Sequence, residues 1–382
     1  MIEALVRDNR VLVCVGPGGV GKTTIAAAVG ALAARRGKRT LVCTIDPAPR
    51  LADALGTGGL GAEPQVLSAD ARRALGIDGG GGELHAVRID TEATFERLVN
   101  ESVGDAEMRR RIFDNVIYRQ ITTMVTGSQE YAATLALHDF VAGGKFDLVV
   151  LDTPPTANAL DFLEAPARIA AAVSSPALTW FARPPEGTRR FSFQRLRSGG
   201  ALLVRRLAKL VGSRFLDDVG AFLVDFQEVL TAFLARAQSV DKLLRGPGVG
   251  FLLVMVPEVA AIDEALFFHE RLHAAGIGLK GFVANRVHAA PGLDDAAAIA
   301  AALRTAPGAA SLPAATLDDA AARLAPVARA FGALAVSERR ELRRLGQRAP
   351  GVEITEVPLL DHDVDNLAEL RVVGDHLVRS PA

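Results

Sequence analysis

The chain has 382 residues, 49 % of them hydrophobic, with a formal net charge of −1 at pH 7. That length admits one large α/β domain with an insertion, or two domains, around a sizeable core. The near-neutral balance argues against general electrostatic binding to nucleic acid or acidic membrane.

Arg outnumbers Lys 37 to 6, which reads as a GC-rich coding background. The two cysteines, Cys14 and Cys43, each lie in an apolar strand-like run, and neither a CxxC nor a His/Cys cluster occurs. Buried, reduced thiols are expected, and no structural zinc site within one chain. Met1–Arg10 has no apolar signal region and no uncharged apolar run of 18 residues is present. The expectation is a soluble, cytoplasmic protein.

In chain order, Val11–Val15 reads as a buried strand, Ile25–Arg36 as a helix and Thr40–Ile45 as a second strand. Gly56–Glu83, glycine-rich and ending in Gly79-Gly80-Gly81-Gly82, reads as a mobile connection. Leu84–Ile89 is a third strand, Glu92–Phe140 a helical block and Leu148–Leu151 a fourth strand. Pro166–Arg245 is a second helical block. Within it, 183–214 carries nine Arg or Lys against one acid, Glu186, interleaved with large apolar residues. Such a segment suits a membrane surface, an apolar partner helix or the body of its own domain. Phe251–Val256 and Gly281–Ala284 complete the strands, and the Ala-rich stretch Ala289–Pro313 has helical spacing. Strands without polar/apolar alternation, separated by helices, predict a doubly wound, mostly parallel α/β sheet with an inserted α-helical subdomain. The expected division is a core over 1–165 with a helical insertion at about 92–140, a helical subdomain over 166–245, and a second core part over 246–382.

Between the first strand and its helix, Gly16, Gly21, Lys22 and Thr23 fit G-x-x-x-x-G-K-[ST]. This is the P-loop of a nucleoside-triphosphate site. Backbone N–H groups of Gly18, Gly19, Val20, Gly21 and Thr24 cradle phosphates, Lys22 meets the β/γ-phosphates, and the Thr23 hydroxyl holds Mg²⁺. The second strand leads into Asp46-Pro47-Ala48, placing Asp46 where a carboxylate near Mg²⁺ can orient a hydrolytic water. Read alone, Asp46 is a turn residue before Pro47. The fourth strand closes on Asp152-Thr153-Pro154-Pro155-Thr156, a Walker-B arrangement with Asp152 reaching Mg²⁺ directly or through water. No Asn/Thr-Lys-x-Asp segment follows a strand, which disfavours guanine, so ATP is the expected nucleotide.

Gly18–Thr24, Asp46–Ala48 and Asp152–Thr156 together resemble the ArsA/GET ATPases, which drive arsenite pumps or target tail-anchored membrane proteins. Pro257-Glu258, Val283-Ala284-Asn285-Arg286 and Glu356-Val357-Pro358-Leu359-Leu360 extend the resemblance from residue 10 to about 375. It implies that Asn285 reads adenine, its amide offering donor and acceptor, and that Pro358 and Leu359 lie beside the base. It also implies that Asp46 polarises the water in one switch, that 152–156 form the other, and that 166–245 carry a client groove. Three departures accompany it. The family's signature lysine, donated across a dimer to the partner's nucleotide, is Pro17 here. The zinc-binding CxxC of many targeting members and the metalloid-binding cysteines of the arsenite pump have no counterparts. Gly127–Tyr131, Asn158–Pro166 and Pro17 resemble the lysine-lacking member of paired bacterial ArsA-like ATPases. The resemblance therefore implies an Mg-ATP-hydrolysing dimeric switch that captures or releases a partner, as a homodimer or with a lysine-bearing paralogue. The client would be an apolar helix or membrane protein, not a nucleic acid. The alternative is a catalytically weak nucleotide-binding regulatory subunit, and Arg50 is a candidate substitute for the lysine.

Overall fold

A computed structural model describes residues 1–77, 80, 82–119, 128–153, 222 and 225–379. The first half runs α1 (Ile2–Asp8), β1 (Val11–Val15), α2 (Lys22–Arg35), β2 (Arg39–Thr44), α3 (Arg50–Ala54), β3 (Gln65–Val66), α4 (Ala69–Ala74), β4 (Glu83–Arg88), α5 (Thr91–Ser102), α6 (Ala106–Asp114), α7 (Ser128–Ala142) and β5 (Leu148–Asp152). The second half runs α8 (Gln227–Leu244), β6 (Val249–Met255), α9 (Val259–Ala274), β7 (Leu279–Val287), α10 (Ala296–Thr305), α11 (Ala314–Arg348), β8 (Glu353–Pro358) and α12 (Leu367–His376).

The strands form one eight-stranded sheet in the order β3-β4-β2-β5-β1-β6-β7-β8. Every pairing is parallel except β3 with β4. Every residue of β1, β5 and β6 is buried, as expected of strands covered on both faces. The two-residue period of β1 divides the core. Val11, Val13 and Val15 point into a cluster with α5, α7, α8 and α9, through Phe95, Leu135, Val229 and Phe268. Leu12 and Cys14 point into the opposite cluster with α1, α2 and α12, through Ile2, Ile25, Val29 and Leu370. This is the doubly wound, mostly parallel arrangement expected. Because β1 lies between β5 and β6, its carboxyl end opens where the winding reverses, the crevice in which such sheets take ligands.

Six strands lie where apolar runs place them, within about two residues at each end. Gly56–Glu83 is a correction. It contains β3 and α4, and Leu67, Ala71, Leu75 and Ile77 from it are buried in the α2 side of the core. Ser68 caps α4 by accepting the Ala71 N–H at 3.1 Å. β8 begins before the segment read as a loop at Glu356, and α11 is a 35-residue helix not delimited from the sequence. Within the Ala-rich stretch, the expected helix is α10. Of the helical block Pro166–Arg245, the described part is 222 and 225–245, including α8. The basic segment 183–214 lies outside the described residues.

Candidate nucleotide site

β1 delivers the chain to the crevice, and glycines let it turn there. Gly16 has φ +152°, and a Cβ on it would sit 1.9 Å from the Val254 carbonyl oxygen of β6. Gly21 caps α2 in the left-handed region (φ 90°), with its Cβ position 2.4 Å from Asn285 Nδ2. Neither position accepts a side chain without displacing backbone or the neighbouring amide. The loop between them leads directly into the amino end of α2, the geometry of a phosphate cradle.

Lys22, the first residue of α2, is buried, and its Nζ donates to the Pro17 carbonyl oxygen at 2.7 Å. Burial lowers its pKa, opposed by the charges of Asp152 and Glu264, while Arg50 presses in the same direction as burial. Asp152, at the end of β5, is 2 % exposed. Its Oδ2 accepts the hydroxyls of Thr23 at 2.8 Å and Thr44 at 3.0 Å. Its Oδ1 is buried with no hydrogen-bond partner. Burial raises its pKa to about 6 against the two hydroxyls and Lys22, which favour the anion. A buried carboxylate oxygen without a donor, beside a threonine hydroxyl, is a hard-oxygen pair of the kind Mg²⁺ takes together with substrate phosphates and water. Thr23 and Asp152 therefore fit the metal.

Asp46 stands one step further out. Its Oδ1 accepts Ala48 N–H at 2.9 Å and its Oδ2 accepts Arg50 Nη1 at 3.0 Å, so it makes a different set of contacts from Thr23 and Asp152. Thr44 joins the two groups, since its Oγ1 donates to Asp152 and accepts the Asp46 N–H at 3.2 Å. Thr153 fastens the end of β5 to β1, its hydroxyl donating to the Cys14 carbonyl at 2.8 Å. Residues 154–156, the rest of the expected second switch, lie outside the described residues.

Asn285, near the end of β7, is buried, and its Nδ2 donates to the Val20 carbonyl at 2.8 Å. One N–H of the amide thus braces the P-loop. Arg286 follows at φ 59° and reaches the Gly19 carbonyl at 3.4 Å. Pro358 pairs with Val287, and Leu359 N–H donates to the Val287 carbonyl at 2.9 Å. The two segments expected on the adenine side thus adjoin. Thr44, Glu264 and Arg286 were not foreseen. Thr44 ends an ordinary β-branched strand and Glu264 is one acid on an amphipathic helix, so neither carries a sequence signal. Both cysteines are buried and free, their pKa values raised by burial.

The fold and this site define a P-loop protein of the doubly wound class. Residues 9–177 match the family model of the anion-transporting ATPases, ArsA type. A protein of Aquifex aeolicus named as an arsenical pump-driving ATPase is 25 % identical over 284 residues, covering 73 % of this chain and 63 % of that protein. The "ATPase GET3" of Malassezia globosa is 24 % identical over 276 residues, 72 % of this chain and 71 % of that protein. An arsenical pump-driving ATPase of Chlorobaculum tepidum is 30 % identical over 159 residues, 41 % of this chain and 36 % of that protein. The chain thus spans less than two thirds of the Aquifex and Chlorobaculum proteins. Over residues 9–177, its P-loop half, the chain is similar to the ArsA/GET ATPases.

Proposed function

We propose that this protein binds Mg-ATP at Gly18–Thr24 and hydrolyses it, using the change of nucleotide to capture and release a partner. The observation that carries the reading is the hydrogen-bonded run Thr23–Asp152–Thr44–Asp46, which links the P-loop, the end of β5 and the end of β2. Lys22 would move from the Pro17 carbonyl to the β/γ-phosphates, exchanging a neutral acceptor for an anionic one. The Thr23 hydroxyl and Asp152 Oδ1 would hold Mg²⁺, which when bound neutralises charge on the phosphates. In the reaction the water oxygen bonds to the γ-phosphorus. The bond to the β,γ-bridging oxygen breaks with its electron pair leaving on ADP, and the water proton passes to the phosphate product. Asp46 would orient that water, with Thr44 holding the backbone at Asp46 in register with Asp152. Asn285 would brace the P-loop from beneath and offer its acceptor to adenine, with Pro358 and Leu359 beside the base.

Partner coupling is the second layer of the proposal. Two chains, or this chain and a lysine-bearing paralogue, would close face to face over the nucleotides. The helical subdomain, assigned to 166–245 between core parts 1–165 and 246–382, would take an apolar helical client. The cytoplasm is the compartment proposed. Among the described residues no helix is long and apolar enough to cross a membrane.

A second reading, a regulatory subunit with negligible turnover, is favoured by one observation: Pro17 supplies only its carbonyl to the site, with no cation at that position. Steady-state ATP hydrolysis across a protein concentration series separates the two, with Lys22→Ala, Asp46→Ala and Pro17→Lys in parallel. Turnover that both alanine variants reduce at least about a hundredfold supports the ATPase. Turnover unchanged in either alanine variant sinks the catalytic assignment. Silence relieved by Pro17→Lys supports the regulatory subunit.

A further inference from the structure

Asp46 and Arg50 bound the turn Asp46-Pro47-Ala48-Pro49-Arg50 that follows β2. Ala48 N–H holds Asp46 Oδ1 at 2.9 Å and Arg50 Nη1 holds Oδ2 at 3.0 Å. Each oxygen of the carboxylate proposed to orient water therefore already accepts one donor, and Arg50 stands over Oδ2. The two prolines fix φ on either side of Ala48 and keep residue 50 at a set distance from residue 46. The Arg50 side chain itself is 68 % exposed and can swing. Through Asp46 it is joined to the P-loop by a run of hydrogen bonds, Asp46 N–H to Thr44, Thr44 to Asp152 and Thr23 to Asp152.

Resting on the ATPase reading above, we infer that Arg50 is this chain's own cation for the γ-phosphate, and that it otherwise favours the position on Asp46 Oδ2. An exposed ion pair four residues apart is worth only about a factor of two in population, so the parked position is shallow. A γ-phosphate offers a guanidinium two parallel charge-assisted hydrogen bonds, a stronger and geometrically matched partner. Its arrival draws Arg50 away and by the same movement releases Asp46 Oδ2. A diphosphate places no phosphate at the γ position, and Arg50 stays on Asp46. Position 17 lacks a cation because proline has none, and a guanidinium from the same chain needs no second subunit to deliver it. Triphosphate sensing and the release of Asp46 Oδ2 thereby reside in one side chain.

The test is calorimetric binding of Mg-ADP and of the Mg complex of adenosine 5′-(β,γ-imido)triphosphate to the full chain. Wild type is compared with Arg50→Ala, Arg50→Lys, Asp46→Asn and the Asp46→Asn/Arg50→Ala double variant. Arg50→Ala should weaken the triphosphate analogue about tenfold or more and leave ADP within about twofold. Arg50→Lys should recover part of that loss. Asp46→Asn, which removes the parking partner, should tighten the triphosphate analogue about twofold, and the gain should vanish in the double variant. Because Arg50 is exposed, an unchanged melting temperature for Arg50→Ala shows that the variant folds. Equal losses for both nucleotides, or none for either, would make Arg50 a surface ion pair and overturn the inference alone. Wild type that binds neither nucleotide overturns the ATP-binding reading and the inference with it.

Discussion

At the scale of single residues, Asp152 sets the chemistry of the site. Two hydroxyls stabilise one of its oxygens, while burial leaves the other without a donor and holds the pKa at about 6. An ordinary carboxylate titrates near pH 4, so folding of the metal-free chain takes up a proton between about pH 4 and 6. With the folded pKa raised, the stability it confers is fully present below about pH 4 and is lost as pH rises through 6. At pH 7.5 the ionised, desolvated carboxylate costs on the order of 3 kcal/mol. The melting temperature of metal-free wild type, relative to non-titrating Asp152→Asn, should therefore be higher at pH 5 than at pH 7.5, as calorimetry can check. Mg-nucleotide binding has the opposite sign because the metal needs the anion: affinity should fall about tenfold from pH 7.5 to pH 5. Lys22, Thr23, Asp46 and Asp152 could be proposed from sequence because each lies at or just after a strand end in a motif whose spacing the chemistry dictates. Thr44 was not, since its importance lies in facing Asp152 across the β2–β5 pairing, a matter of register.

At the scale of elements, the carboxyl end of β7 ties the second half of the chain to the P-loop. Asn285 and Arg286 reach the Val20 and Gly19 carbonyls. Three residues on from Asn285, His288 donates its N–H to Glu338 of α11 at 2.8 Å, and its ring Nδ1 lies 2.6 Å from the other carboxylate oxygen. Glu338 is buried, so removing the ring strips a desolvated carboxylate of a partner. His288→Ala should lower stability by about 1–3 kcal/mol, seen as a reduced urea midpoint at unchanged slope. The strands were legible from their apolar runs. β8 was not, being an edge strand whose Glu-Ile-Thr-Glu-Val-Pro sequence buries only Thr355 and Val357. The acids of α11 gave no sign that Glu338 would be buried, because that depends on His288, just beyond β7, meeting it.

At the scale of the whole molecule, the two large clusters on the faces of the sheet differ sharply from the third. That one consists of Ile299, Ala300, Ala321 and Ala325, where α10 meets the first half of α11. The second half of α11 instead buries Leu342 and Leu345 in a main cluster. Small apolar side chains remove little area from water, so the α10–α11 hairpin has little of its own to hold it closed. Hydrogen exchange should show amides of 296–305 and 314–330 exchanging at least about tenfold faster than those of 338–348, within one continuous helix. Uniform protection along α11 would show that the small cluster is as cohesive as the sheet core.

The sequence by itself determined the fold class and the P-loop, because strand periodicity, helix periodicity and a glycine-paced loop are local properties read within a few residues. Strand ends located Asp46 and Asp152 along the chain, and the family resemblance singled out Asn285. Only the tertiary structure decided what each touches: Asp46 held by Arg50, Asp152 with one oxygen unpartnered, Lys22 turned onto Pro17, Asn285 bracing the loop. Such contacts join residues up to 265 positions apart. They are set by parallel register and by which side chains share a desolvated space, and no local pattern in the chain encodes either.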